Sequence, residues 1–354
     1  MSAQQAATEP PVILRRHGHA GHIVLNRPRA INALTHEMVR LIREALDAWA
    51  VDDAVRVVVL SGAGERGLCA GADVVALWHD AKAGGTEAAA FWAEEYELNA
   101  LIARYPKPYV AIMDGIVLGG GIGLSAHASH RVVTETSSVG MPETGIGFIP
   151  DVGGTWLLAN APGEVGVHLA LTTGRMDAGE AIACGFADHY VPRAHLKALF
   201  DDLAELDADD ALASRAQPSP DAPVLEHLAW LDAAYAGDDA EAIVERLRTV
   251  GTEHSLQAAD AIESKSPTAV KVTLRALREA PALGSLERAL EVEYRLALRC
   301  HAMPDYVEGV RAQVVDKDRN PAWSPATLGE VGDDDVDAFF APLTDAEGGE
   351  LRLS

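Results

Sequence analysis

Hydrophobic and polar positions follow two different periods along the first half of the chain. Residues 12–16 and 22–26 have the composition of two short strands, and the continuous β-branched run at 55–60 is typical of a strand buried on both faces. Thr35 can cap a helix with apolar positions every three or four residues, at Met38, Leu41, Ile42, Ala45, Leu46 and Trp49. Further strands are predicted at 108–113 and 131–134, and further helices at 119–127, 165–171 and 178–184. This alternation predicts an α/β domain.

The pattern changes after about residue 195. Residues 201–239 are rich in Ala and Asp and include three prolines, which is compatible with either an exposed helical insertion or a mobile linker. Helical periodicity returns from about residue 255. The predicted organisation is a disordered N-terminus, an α/β core, an acidic helical insertion or linker, and a helical C-terminal region that completes the active site, at 1–10, 11–195, 196–252 and 253–354.

Composition and charge narrow the class of function. The 354 residues carry a net charge of −24, which argues against nucleic-acid binding because phosphates must be neutralised by Lys and Arg. Three cysteines without a C-x-x-C spacing, and no His/Cys cluster, predict neither disulfides nor a metal site. No secretory signal or membrane-spanning apolar run is visible, so we expect a cytoplasmic protein without a membrane partner.

One glycine motif imitates a dinucleotide-binding fingerprint. Gly62, Gly64 and Gly67 match the G-x-G-x-x-G spacing after a predicted strand. A fingerprint also needs a helix that begins at once and an acidic residue at the end of the next strand. Neither follows here, so no nicotinamide cofactor is predicted.

Two other glycine-rich turns are candidates for binding an anionic oxygen. The run from Gly119 to Gly123 either lets a helix pack closely on a sheet or lets a ligand reach the backbone, and both can hold together. The stretch from Gly67 to Asp73 is a similar strand-to-helix turn, in which Asp73 can cap the next helix and Ala72 can point its N–H outward. Two such turns could supply two donors to one oxygen.

Two carboxylates lie in the apolar loop at 141–154. Asp151 could be an ordinary helix cap, whereas Pro142 and Gly145 leave Glu143 in no regular element. A carboxyl group among apolar neighbours has a raised pKa and is a plausible base or nucleophile. We therefore predict that these segments form one active site.

These segments, in this order, resemble the crotonase superfamily, also called the enoyl-CoA hydratase/isomerase family. The resemblance begins near Asn26-Arg-Pro28. It implies a stacked ββα superhelix that binds an acyl-CoA, with no separate cofactor because coenzyme A belongs to the substrate. It also implies that the backbone N–H groups of Ala72 and Gly120 hold the thioester oxygen.

Departures from the hydratase pattern indicate a subfamily. Hydratases of this superfamily use two glutamates; one matches Glu143, and the position of the other is occupied by Gly123. Asp151 after Pro150, together with the C-terminal segments Ser266–Thr268, Glu293–Arg295, Glu308–Arg311 and Asp316–Asp318, is similar to 3-hydroxyisobutyryl-CoA hydrolases. The implied activity is hydrolysis of a short β-hydroxyacyl-CoA in valine breakdown.

The resemblance also implies roles for the carboxylates. Glu143 would act on the thioester carbonyl as a nucleophile or as a base for water. Asp151 would position water or hold the substrate hydroxyl, and Glu95 would contact the short acyl group. The alternatives are a hydratase or isomerase with the same fold, and a coenzyme A-binding protein without catalysis.

Some contacts of coenzyme A and the state of assembly follow less directly from the sequence. Arg27, Lys265 and Lys271 are candidate partners for the phosphates. A homo-oligomer is possible because members of the superfamily often form trimers or hexamers. The long C-terminal region could cover the active site of its own chain instead of a neighbour's.

Overall fold

The structure is a computed structural model that describes residues 10–353. The predicted disorder at 1–10 therefore lies outside the described residues, apart from Pro10. The described chain is mixed α/β, as predicted, and its ten strands are β1 (Val12–His17), β2 (Ala20–Leu25), β3 (Val57–Gly62), β4 (Gly67–Cys69), β5 (Tyr109–Met113), β6 (Ile116–Leu118), β7 (His130–Val133), β8 (Ser138–Gly140), β9 (Arg175–Met176) and β10 (His189–Tyr190).

The strands form two sheets, and the chain visits them in turn. The larger sheet has the order β1-β2-β3-β5-β7-β10 and is parallel except for the β1–β2 hairpin. The smaller sheet has the order β4-β6-β8-β9, of which β4, β6 and β8 are parallel. Each of β3, β5 and β7 in the larger sheet is followed by a strand of the smaller sheet. This repetition is the stacked strand–strand–helix architecture that the sequence predicted.

The helices of the first half connect or cover these strands. They are α1 (His36–Ala50), α2 (Val74–Ala83), α3 (Glu87–Ala103), α4 (Gly120–Ser125), α5 (Gly154–Ala159), α6 (Val165–Thr172) and α7 (Ala178–Ala183). The Thr35 side chain caps α1 by accepting from the Met38 N–H, as predicted. Residues 80–87 form the end of α2 and a short turn before α3.

The continuous apolar run of β3 is explained by burial on both faces. Val58 and Leu60 face the main core, whereas Val57 and Val59 face a second core. The second core is closed by apolar residues of helices α8 (Leu196–Leu203) and α9 (Ala208–Arg215), including Leu199, Leu203 and Leu212. These helices cover the sheet, so the beginning of the 196–252 segment is part of the packed fold.

The rest of the chain is helical and packs onto the α/β core. The helices are α10 (Leu228–Tyr235), α11 (Ala240–Val250), α12 (Glu253–Glu263), α13 (Pro267–Leu283), α14 (Leu286–His301), α15 (Pro304–Val310) and α16 (Asp333–Phe340). Helix α13 packs on α5, α14 on α3, and α15 on α2. Among residues 10–353, no helix has the length and apolar content needed to cross a membrane.

Candidate active site

Three neighbouring strands of the smaller sheet deliver the predicted site residues. Strands β4, β6 and β8 run parallel, with Cys69 opposite Val117 and Leu118 opposite Gly140. Their carboxyl ends therefore lie side by side at one edge. The turn with Ala72 follows β4, the turn with Gly120 follows β6, and Glu143 follows β8. Parallel pairing thus brings together residues that are separated by up to 71 positions in the sequence.

The backbone N–H groups of Ala72 and Gly120 lie close together. A methyl group added to Gly120 would lie 3.4 Å from the Ala72 nitrogen, so the two turns are in contact. Gly120 is the first residue of α4, where an N–H has no acceptor within the helix. Within residues 10–353, no hydrogen bond has the Ala72 N–H as its donor. Two free donors that are close together can stabilise a developing oxyanion.

Glycine is required at position 119 for two reasons. Its φ of +47° is positive, and residues other than glycine rarely adopt such a backbone conformation. A methyl group there would also lie 2.7 Å from Oε1 of Glu143. The glycine run therefore allows both the turn of the backbone and the close approach of a carboxylate, in addition to tight packing.

Glu143 begins a single 3₁₀ turn, Glu143–Ile146, after Pro142. Its side chain is buried, and its Oε2 has no hydrogen-bond partner. Burial raises the pKa of this carboxyl well above its ordinary value, and the charge of Asp151 raises it further. A buried carboxylate with a free oxygen is available to attack a carbonyl or to take a proton from water.

Two further buried carboxyl groups complete an acidic cluster. Glu95 on α3 is 1% exposed, and its Oε1 has no partner. Asp151 accepts a hydrogen bond of 2.7 Å from the buried Tyr96 hydroxyl. Burial raises the pKa of Asp151 to about 7, against the lowering effect of Tyr96. Burial and the Asp151 charge raise the pKa of Glu95 as well. The raised pKa values therefore disfavour ionisation of all three carboxyl groups at the same time.

The turn that carries Asp151 is strained and held from two sides. Val152 has a φ of +53°, an outlier for a β-branched residue. His127 Nε2 lies 2.7 Å from the Val152 carbonyl oxygen. Glu293 on α14 accepts from the Gly153 N–H at 2.6 Å, from the Thr155 N–H at 2.9 Å and from the Thr155 hydroxyl. Asp151 does not cap α5, whose N-cap is Gly153, so the capping alternative is wrong.

A cavity of about 350 Å³ connects these groups. Its wall includes all five residues predicted from the sequence, namely Ala72, Glu95, Gly120, Glu143 and Asp151. It also includes aromatic residues and two cations, Trp92, Phe148, Tyr306, Arg175 and Lys265. The C-terminal region contributes Tyr306, Gln313 and Val314, so it covers the site of its own chain.

The three predicted phosphate contacts differ in their environment. Lys265 lies in the cavity wall, where burial lowers the pKa of its amine. Arg27 pairs with Asp73 at 2.8 Å, and Lys271 pairs with Glu241 at 2.7 Å. Neither of these two lines the cavity. Lys265 is therefore the candidate that the structure retains.

Position 123 has no room for the acid that a hydratase would carry. A methyl group on Gly123 would lie 2.7 Å from both Asn99 Nδ2 and Val152 Cβ. The volume that a second catalytic glutamate would need is occupied by these two side chains. Glycine is needed at position 123 because α4 packs closely against α3 and against the turn that carries Asp151.

Sequence reasoning assigned no role to several residues of this site. Glu293 belongs to a segment that carried the resemblance, which gave no indication of what this residue binds, and Tyr96 is the sequence neighbour of the predicted Glu95. Tyr306 and Arg175 had no signal, since a single tyrosine or arginine far along the chain has no local pattern. Only the packing of the C-terminal helices shows that Tyr306 reaches the cavity.

Comparison with known proteins places this geometry in a family. The family model described as enoyl-CoA hydratase/isomerase matches residues 20–340. The chain belongs to this family. The resemblance seen in the sequence is thereby confirmed, together with the fold that it implied.

Relatives within the family are close over nearly their full length. The chain is 39% identical to the mitochondrial 3-hydroxyisobutyryl-CoA hydrolase of Xenopus tropicalis, over 95% of this chain and 90% of that protein. It is 50% identical to a solved carnitinyl-CoA dehydratase of Mycobacterium thermoresistibile, with a TM-score of 0.93 over 97% and 99% of the two chains. A solved enoyl-CoA hydratase of Rhodobacter sphaeroides is 40% identical, with a TM-score of 0.90 over 97% and 100%.

Proposed function

We propose that this enzyme hydrolyses a short β-hydroxyacyl-CoA thioester, with 3-hydroxyisobutyryl-CoA as its substrate. The observation that carries the proposal is the position of Glu143, a buried carboxyl with a free oxygen, next to the paired N–H groups of Ala72 and Gly120. The Xenopus relative is named for this reaction. The placement of this hydrolysis in valine breakdown is part of the proposal.

The reaction requires addition to the thioester carbonyl and loss of the thiol. The Ala72 and Gly120 N–H groups receive the carbonyl oxygen as it becomes negative. Glu143 either adds to the carbonyl carbon to form an anhydride, which water then hydrolyses, or removes a proton from the attacking water. In both routes the C–S bond breaks and a C–O bond forms. Over the full cycle the leaving sulfur becomes the thiol by taking up one proton of the attacking water, whose oxygen ends in the carboxylic acid. Asp151, fixed by Tyr96, positions the water.

Hydration of an enoyl-CoA is the alternative, and two solved relatives are named for such chemistry. Hydration in this superfamily uses two glutamates, and the second position is closed here by Asn99 and Val152. Asp151 lies instead on the strained turn at 151–154. The combination of Glu143 with Asp151, instead of with a second glutamate at position 123, therefore favours thioester hydrolysis.

Release of free thiol tests the proposal directly. Purified enzyme should release coenzyme A from 3-hydroxyisobutyryl-CoA, and Glu143→Gln should reduce kcat by about 10³-fold, since the amide can neither attack nor accept the proton. The exposed Glu44→Gln is a matched control that should keep full activity. An enoyl-CoA should keep its chromophore.

The alternatives predict different results in the same assay. A hydratase would remove the enoyl chromophore without releasing thiol, and a coenzyme A-binding protein would do neither. Either result with the wild-type enzyme would exclude hydrolysis as its function. A mass increase equal to the acyl group on acid-quenched enzyme would identify the anhydride route.

Three expectations from the sequence remain proposals. We propose that Lys265 contacts the phosphates of coenzyme A, because it is a cation in the wall of the cavity. A homo-oligomer and a cytoplasmic location stay predictions; the Xenopus relative is mitochondrial by its name. Cell fractionation and light scattering would test the last two.

A further inference from the structure

The hydroxyl group of Tyr306 is a buried polar group without a partner at the edge of the reaction cavity. Tyr306 is 1% exposed, lines the cavity, and its hydroxyl makes no hydrogen bond within residues 10–353. Buried hydroxyl groups are almost always hydrogen-bonded, because an unpaired one loses its contacts with water without replacement. An unpaired hydroxyl in the wall of a binding cavity is therefore a candidate contact for the ligand.

Hydrogen bonds fix the residues immediately before and after Tyr306 on helix α15. The preceding Asp305 accepts from the Ser266 hydroxyl at 2.6 Å and from the Ser324 N–H at 2.8 Å. The following Val307 accepts from the Trp78 indole N–H at 2.8 Å. These contacts tie α15 to three separate segments. The position of the tyrosine is thereby set before any ligand binds, which is the condition for a specific contact.

Helix α15 also packs directly on the turn that carries Glu143. A methyl group on Gly309 would lie 2.6 Å from the Ile146 Cα, and one on Gly147 would lie 2.6 Å from the Asp305 carbonyl oxygen. Such contact between backbones leaves no room for sliding. Tyr306 and Glu143 are consequently held by the same packed unit.

The surroundings of Tyr306 place it at the carboxylate end of the cavity. Its ring lies 5.6 Å from Phe148, which stacks at 5.3 Å on Trp92, three residues before Glu95 on α3. Burial and the charge of Asp151 raise the pKa of Tyr306, so the phenol stays neutral and can donate.

We propose that the Tyr306 hydroxyl is the hydrogen-bond partner of the substrate's 3-hydroxyl group and sets the preference for β-hydroxyacyl thioesters. The inference rests on the proposed function and adds a specificity-determining residue to it. With Tyr306 at the 3-hydroxyl group, Asp151 and its Tyr96 contact remain available for the water. A substrate without the hydroxyl group would leave the phenol unpaired, and sites built in this way discriminate against such analogues.

The test compares two substrates that differ only in this group. Tyr306→Phe should lower kcat/KM for 3-hydroxyisobutyryl-CoA by about tenfold and leave isobutyryl-CoA hydrolysis unchanged, since one neutral hydrogen bond is removed. Tyr109→Phe is the matched control: its hydroxyl is also buried without a partner, but Tyr109 does not line the cavity. This variant should keep the wild-type ratio of the two substrates.

The outcomes separate this inference from the proposed function. An equal loss on both substrates, or no loss on either, would overturn the role of Tyr306 while hydrolysis by the wild type still stands. Absence of thiol release by the wild type would instead refute the hydrolase. Calorimetric binding of both esters to Glu143→Gln, with and without Tyr306→Phe, reads the hydroxyl preference without turnover; an unchanged preference in the double variant contradicts the proposal.

Discussion

The carboxyl of Glu143 illustrates how one residue can be both costly for the fold and useful for chemistry. Its burial raises the energy of the charged form, so its pKa is raised. The ionised form, once produced, is poorly solvated and surrounded by few competing donors. A carboxylate in this state is more reactive than one on the surface.

The pH dependence of hydrolysis should reflect these raised pKa values. An ordinary glutamate is ionised above pH about 5. Here kcat/KM should fall as pH decreases through a higher range, since protonated Glu143 can neither attack nor act as a base, and should level off only above about 7, the pKa of Asp151. Stopped-flow thiol release across the pH range measures this limb.

A neighbouring variant provides the control for this pH profile. The charge of Asp151 contributes to the raised pKa of Glu143. The residual activity of Asp151→Asn should therefore show its acidic limb at lower pH than the wild type. An acidic limb at the same pH in Asp151→Asn and the wild type would contradict the assignment. A wild-type activity that already reaches its plateau near pH 5 would contradict it as well.

Gly123 allows a second prediction at the scale of the residue. Gly123→Glu should not produce a hydratase, because Asn99 and Val152 already occupy the space. Overpacking of this kind costs about 1–3 kcal/mol, and a buried unpaired carboxyl adds to the cost. Urea unfolding should show the loss, whereas Gly329→Glu, with nothing within 4 Å, should be neutral. Gain of hydratase activity would show that the explanation by packing is wrong.

At the scale of the element, helix α14 acts on the active site through Glu293. This carboxyl binds the first turn of α5 and thereby holds the strained Val152 next to Asp151. Burial raises the pKa of Glu293 to about 8, although the donors around it oppose the shift. The C-terminal region therefore supports the geometry of a turn that lies more than 130 residues earlier in the chain.

Loss of this contact should reduce catalysis more than substrate binding. Glu293→Ala should lower kcat by about 10- to 100-fold with a small change in KM, since a displacement of Asp151 by about 1 Å misplaces the water. Glu293→Gln keeps one acceptor and should lose less. Glu287→Ala, on the same helix but without a hydrogen bond to this turn, is the control. Equal activity of Glu293→Ala and the wild type would show that the turn holds its shape alone.

The elements differ in how well the sequence predicts them. The strand at 55–60, the helix capped by Thr35 and the helix at 165–171 were predicted within about two residues, because their patterns are local. The 196–252 segment left two alternatives open. Its alanine-rich sequence is similar to that of a linker, and only the second core under α8 and α9 shows that the first part of the segment covers the sheet.

At the scale of the whole molecule, the net charge of −24 opposes an anionic substrate. Lowering the ionic strength lengthens the range of this repulsion from about 8 Å at physiological salt to about 30 Å at 0.01 M. The KM for the coenzyme A thioester should therefore decrease as salt is added at low ionic strength. The neutral N-acetylcysteamine thioester should show no such change.

The same pair of substrates tests the local role of Lys265. Its cation lies in the cavity wall and should oppose the global field at the mouth of the site. Lys265→Ala should therefore raise KM for the coenzyme A thioester and steepen its salt dependence, without an effect on the neutral thioester. If both thioesters respond equally, Lys265 does not contact the phosphates.

The sequence by itself determined the family, the α/β core and five residues whose polar groups line the cavity, Ala72, Glu95, Gly120, Glu143 and Asp151. Those signals are local or depend on short motifs, such as the glycine turns with Ala72 and Gly120 and the apolar loop with Glu143 and Asp151. Only the tertiary structure decided that parallel pairing of β4, β6 and β8 places these groups together. It also decided that Gly123 is closed by Asn99 and Val152, and that Tyr306 enters the cavity. Such contacts join residues distant in the chain, and packing rather than local pattern sets them.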